Sequence, residues 1–112
     1  MAFDEFLVER VRIVLKRKRV AFTERKMFGI MCFLVDDKIC VGVNRNELLA
    51  RTDPVRQDEF LRNGMCRLLD ENMKGFLLVD PEETDMEDDL EKWVDRRLEF
   101  NPRAKSGKKK KG

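Results

Sequence analysis

Residues 26–43 read KMFGIMCFLVDDKICVGV, two apolar runs separated by a pair of aspartates. Asp tolerates the positive φ of a tight turn, so Asp36-Asp37 is expected to close a two-residue β-hairpin between Lys26–Val35 and Lys38–Val43. That register pairs Val35 with Lys38, Leu34 with Ile39, Phe33 with Cys40 and Cys32 with Val41. Strict alternation then sorts the hairpin into two faces. Ile30, Cys32, Leu34, Ile39, Val41 and Val43 form a wholly apolar face, expected to lie on the core helices. Met31, Phe33, Val35, Lys38, Cys40 and Gly42 form a mixed one. Cys32 and Cys40 fall on opposite sides and are not expected to pair as a disulfide.

Working outward, a second turn near Arg45-Asn46 leads into a third strand over ELLART (Glu47–Thr52), with Leu48 and Ala50 on the core face and Leu49 and Arg51 on the mixed one. The mixed face thus collects Met31, Phe33, Val35, Cys40, Leu49 and Arg51, more apolar than a solvated sheet surface. It reads either as a homodimer or partner surface or as a face covered by the chain's own segments. Asp53-Pro54 has the form of a helix start, Asp as N-cap and Pro at the first position, and Asn63-Gly64 ends that short helix. Met65–Leu69 and Gly75–Asp80 read as two more strands, the second stopped by Pro81.

Thr84, with Glu87 three residues on, has the form of a capping box opening a last helix whose apolar stripe is Met86, Leu90, Trp93, Val94 and Leu98. At the other end Phe3, Phe6, Leu7, Val11, Val14 and Leu15 recur at helical spacing over residues 2–19. The expected fold is therefore α+β: a two-layer domain over residues 1–102, its mainly antiparallel five-stranded sheet packed against terminal helices. Residues 103–112 (RAKSGKKKKG) hold one apolar residue, Ala104, and read as a disordered basic tail.

Composition narrows the chemistry. Among 112 residues there is no His, no Tyr and a single Ser, Ser106. A Ser-His-Asp or Cys-His arrangement cannot be built without imidazole. The three cysteines, Cys32, Cys40 and Cys66, show no C-x-x-C pairing and read as buried reduced thiols. No catalytic, cofactor-binding or metal-ligating residue is assigned. Asp85, Glu87, Asp88 and Asp89 could offer oxygen ligands to Mg2+, but at a helix N-terminus they are explained by the dipole. No stretch approaches the roughly 20 apolar residues of a membrane span, and Asp4, Glu5, Glu9 and Arg10 interrupt any secretory signal, so the expected location is cytoplasmic with no membrane partner.

The formal charge of +2 conceals segregation. The last ten residues carry +6, which leaves −4 for residues 1–102; residues 9–26 carry +6 and residues 80–99 carry −7. Arg17, Lys18 and Arg19 at the end of the first helix, with Lys108, Lys109, Lys110 and Lys111 in the tail, are the candidate nucleic-acid contacts. Lysines of this kind give salt-sensitive phosphate affinity without reading sequence.

The blocks Arg25-Lys26-Met27-Phe28-Gly29, Cys32–Val35 and Lys38–Val43, then Met73-Lys74-Gly75-Phe76 through Leu78-Val79-Asp80-Pro81-Glu82, with Trp93-Val94 beyond, resemble the N-terminal domain of the TfoX/Sxy family over about residues 23–100. Ile30 departs from the pattern, standing where a second Gly is expected. The resemblance implies a small dimeric α+β domain related to regulators of bacterial competence that act on transcription. It implies an unidentified protein partner, with the transcription machinery as a candidate, and it implies neither an enzymatic activity nor a cofactor.

Overall fold

Two tight turns of one kind fold residues 23–44 into three strands. The structure, a computed structural model, describes residues 3–104. At Asp36-Asp37 both residues have positive φ (56° and 65°), the backbone of a type I′ hairpin turn, as the sequence leads one to expect. Phe28-Gly29 adopts the same form, with φ of 54° and 76°. An aromatic in a turn has no sequence signature. The run Lys26–Val35 is therefore not one strand but the end of β1 (Thr23–Met27) and the whole of β2 (Ile30–Val35). With β3 (Lys38–Asn44), β4 (Glu47–Arg51), β5 (Cys66–Leu68) and β6 (Phe76–Val79) the sheet has six strands rather than five. All pairs are antiparallel, in the order β1-β2-β3-β4-β6-β5.

A β-bulge decides which side of β2 faces the core. Val35 pairs with Lys38 and Leu34 with Ile39, but Phe33 then pairs with Val41, Cys32 with Gly42 and Met31 with Val43. Cys40 is the extra residue. An inserted residue puts two consecutive side chains on one side and moves the partner strand to the opposite phase. Cys40 and Val41 accordingly both join the helix-side core, with Phe33, Val43, Leu48, Ala50 and Val79. Ile30, Cys32, Leu34 and Ile39, expected beneath the helices, pack on the other face with Leu49 and Leu78.

The helix layer is α1 (Glu5–Arg17) and α3 (Glu87–Phe100). Asp4 caps α1, its Oδ1 accepting from the amides of Phe6 and Leu7. Leu7, Val8, Val11, Val14 and Leu15 enter the core. Val8 takes the place expected for Phe6, which is exposed. In α3, Leu90 and Val94 are fully buried, Trp93 and Leu98 pack on them, and Met86 lies outside. The expected capping box does not form: the Thr84 hydroxyl donates to Pro81 O, ending the 3₁₀ turn Pro81–Glu83, and no side chain caps α3. Asp53 does cap the 3₁₀ turn Pro54–Arg56, which precedes α2 (Gln57–Arg62). Arg103, counted with the tail on sequence grounds, belongs to the 3₁₀ turn Asn101–Arg103, and Ala104 is buried.

The segregated charges pair across the helix layer. Lys18 Nζ lies 3.0 Å from a Glu91 oxygen and 2.6 Å from Asp95, and Arg17 lies 3.4 Å from Glu91. Arg10 donates to Thr84 O and Asp85 O and meets Glu87 at 3.5 Å. Arg12 forks onto Glu24 of β1 at 2.6 and 2.9 Å. That fork holds the Glu24 carboxyl below its ordinary value. A depressed carboxylate contributes stability above its unfolded pKa and loses it as pH falls through the folded one. Glu24→Gln is thus expected to flatten the loss of stability between about pH 5 and pH 2, as read from urea midpoints across that range. An unchanged pH profile would deny the pair any part in folding.

Candidate functional site

The six residues expected to form a partner face separate. Phe33 and Cys40 lie in the helix-side core, with Met31 and Val35 packed against it, so these four do not form an outward patch. Leu49 and Arg51 remain on the other face. There Ile30, Cys32, Leu34, Leu49 and Leu78 pack with Met27, Ile39, Leu69 and Phe76, every one from a strand or an adjoining segment and none from a helix. The Arg51 guanidinium stands 4.5 Å over the Phe76 ring, and burial lowers its pKa from the usual range. The side chains close much of this face on themselves; Leu49 and Leu78 keep almost no exposure.

The basic candidates are likewise divided. Arg17 and Lys18 are engaged by Glu91 and Asp95, and those carboxylates raise the Lys18 pKa. Arg19 follows at positive φ (59°) and is exposed. Lys108, Lys109, Lys110 and Lys111 lie outside the described residues.

The most exposed large apolar side chain among the described residues is one that sequence reading placed inside a strand. Phe28 is 93% accessible, at a φ of 54°. A bulky residue in the left-handed region is strained, by about 1–3 kcal/mol, and glycine would occupy it freely. Neither burial nor backbone comfort within the chain accounts for Phe28. It stands at one end of the sheet beside the β3–β4 turn, in a cleft of about 680 Å3 lined also by Phe3, Asp4, Gly29, Asn44, Arg45 and Asn46. The N-terminal segment closes one wall: Asp4 N donates to Arg45 O at 2.6 Å, and Phe3 bridges to Arg45. Lys26 Nζ sits 5.6 Å from the Phe3 ring. The result is a fixed frame with one aromatic projecting from it. Its only sequence signal is the Phe-Gly pair, which reads as strand until both φ values are known.

The thiols are held in the protonated form. Burial pushes Cys40 up to about 12 and Cys32 and Cys66 up to about 11, so all three stay protonated at neutral pH. All are free. Among the described residues no three His, Cys, Asp or Glu side chains are grouped so as to hold a metal ion, and no helix is long and apolar enough to cross a membrane.

Fold and site together define a two-layer α+β domain, a six-stranded antiparallel sheet with helices on one face and an aromatic projecting at one end. The chain belongs to the TfoX N-terminal domain family, whose model matches residues 16–101. The match begins at the end of α1, so most of the helix that supplies Leu7 to Leu15 precedes it. Neither a curated protein nor a solved structure matches the chain.

Proposed function

We propose that this chain is a non-enzymatic regulatory domain of TfoX type, acting in transcription regulation through protein contacts as a homodimer, with Phe28 as the anchor. The observation that carries the reading is the exposed, strained Phe28 beside an open cleft. Aromatics that project from a rigid frame are the side chains that dominate protein interfaces. The edge strand β1, TERKM, is charged and exposed, which discourages pairing edge to edge and leaves the sheet end as the better contact. Buried, protonated thiols and the lack of imidazole support the absence of catalysis.

Light scattering is expected to give twice the 13.3 kDa of one chain, and Phe28→Ala is expected to give the single mass. Compared at a concentration low enough for both chains to be monomeric, the same variant should melt no lower than the wild type. Phe28→Gly should gain up to about 1 kcal/mol, because the strain is relieved. A monomeric wild type, or a dimer indifferent to Phe28, overturns the homodimer.

The alternative is a non-specific nucleic-acid binder. With Arg17 and Lys18 engaged, its phosphate contacts would fall to Arg19 and to Lys108–Lys111. Four or five contacts predict a slope of log K against log salt of about −4. Deleting residues 105–112, which spares the Asn101–Arg103 turn and buried Ala104, should abolish such binding, and affinity that survives the deletion would count against the tail as its source.

A further inference from the structure

Arg97 is a buried cation without a counter-anion. It lies on α3, in the helix layer, and only 5% of it reaches solvent. Its Nη1 donates to the Thr52 hydroxyl at 2.6 Å, its buried Nε has no partner, and among the described residues no carboxylate pairs with it. Its neighbours are the rings of Phe60 and Trp93, with centroids 5.8 and 5.4 Å from the guanidinium carbon. Burial lowers its pKa to about 10, so the charge persists at neutral pH. A guanidinium is rarely taken out of water without an anion to meet its donors.

Beside it is a cavity of about 240 Å3, lined by Arg97 and Thr52 together with Arg56, Arg96 and Arg103. Arg56, Arg96 and Arg103 are exposed and form a rim, in which Arg56 already forks onto Glu59 at 3.1 and 3.2 Å. Two carboxylates, Asp53 and Glu99, also line it, against four arginines. Asp53 is already occupied, Oδ1 by the Val55 amide and Oδ2 at 3.6 Å from Arg103. The volume falls short of the roughly 300 Å3 at which sites for whole drug-sized ligands begin, so it suits one charged group rather than an entire cofactor.

We propose that this cavity binds the phosphoryl group of a small molecule, with Arg97 and the Thr52 hydroxyl at its floor and Arg56, Arg96 and Arg103 at its rim. Guanidinium forks match the oxygens of a tetrahedral oxyanion in pairs, and each such bond is charge-assisted. The site joins the end of β4, the turn before α2 and the last turns of α3, elements far apart in sequence. Occupancy would tie them together and stabilise the fold by mass action.

The test is a titration of the 15N-labelled full chain with inorganic phosphate and, separately, with a nucleoside 5′-monophosphate, ionic strength being held constant with chloride. Saturable movement of the Arg97 Nε–H resonance is expected, with a rise in melting temperature. Equal response to both probes identifies the phosphoryl group alone as the ligand; tighter binding of the nucleotide identifies a phosphorylated nucleoside. The double variant R96Q/R103Q alters exposed side chains only and should fold as the wild type does. It should bind the better probe about tenfold more weakly or worse. A response that chloride reproduces, or one unchanged in the folded double variant, overturns the proposal.

Discussion

Replacing Phe33 by alanine is expected to lower the unfolding free energy by about 3–5 kcal/mol, the range for emptying a buried aromatic site. Phe33 has no exposure and contacts the Phe22 ring at 5.8 Å with a 54° tilt. It sits opposite Val41 in the layer that α1 and α3 cover. For a domain of this size each kcal/mol is worth roughly 4–8 °C of melting temperature, so thermal and urea unfolding both resolve the effect. Phe28→Ala, five positions away, should leave the stability of the monomer nearly unchanged. The two phenylalanines thus report the bulge directly. If alternation continued unbroken through the hairpin, Phe33 would face outward and its loss would alter association instead. A Phe33→Ala chain less than about 1 kcal/mol weaker than wild type would return the residue to the outer face.

Gly75→Ala is expected to cost about 3 kcal/mol or more, from positive-φ strain and a collision acting together. Gly75 has φ +87°, and a Cβ built there would collide with Thr52 O and lie 3.3 Å from Pro54 Cγ. The neighbour is backbone and is held: Thr52 N donates to Gly75 O at 2.5 Å, and Gly75 N donates to Gln57 Oε1 at 2.7 Å. Relief would have to come from separating β4 from the start of β6. Gly64 is the internal control. It too has positive φ (+73°) but no atom lies near its missing Cβ, so Gly64→Ala should cost only about 1 kcal/mol. Equal melting temperatures for the two variants would show that the contact with Thr52 is not tight. Because Thr52 also receives Arg97, Gly75→Ala should weaken phosphate binding as well as the fold.

Much of this architecture is legible from local chemistry. Asp36-Asp37 forms the expected turn, Asp53-Pro54 the expected cap, and the Leu7, Val11, Val14, Leu15 stripe the expected buried side of α1. Each depends on neighbours within a few residues, and the physics that decides it is contained in that window. The paired charges of α1 and α3 were legible as segregation, though not as pairing. The inner side of β2, the strand hidden in Thr23–Met27 and the burial of Arg97 were not legible. A bulge leaves no mark in an apolar run, since Ile39, Cys40 and Val41 are all acceptable on a buried side. Arg97 sits among the charges of α3 and reads as part of a solvated face.

By itself, then, the sequence determined the α+β class, the positions of most turns and helices, and the absence of the side chains that common catalysis needs, because composition and short-range periodicity carry those. The tertiary structure alone decided which side of β2 meets the helices, that Phe28 projects at the sheet end, and that four arginines from the segment after β4, the end of α3 and the turn that follows it surround one cavity. Those outcomes depend on a single inserted residue in a ladder and on contacts between residues more than 40 positions apart, such as Thr52 and Arg97. A one-residue shift of register reverses every side chain beyond it, and no local pattern records where the shift falls.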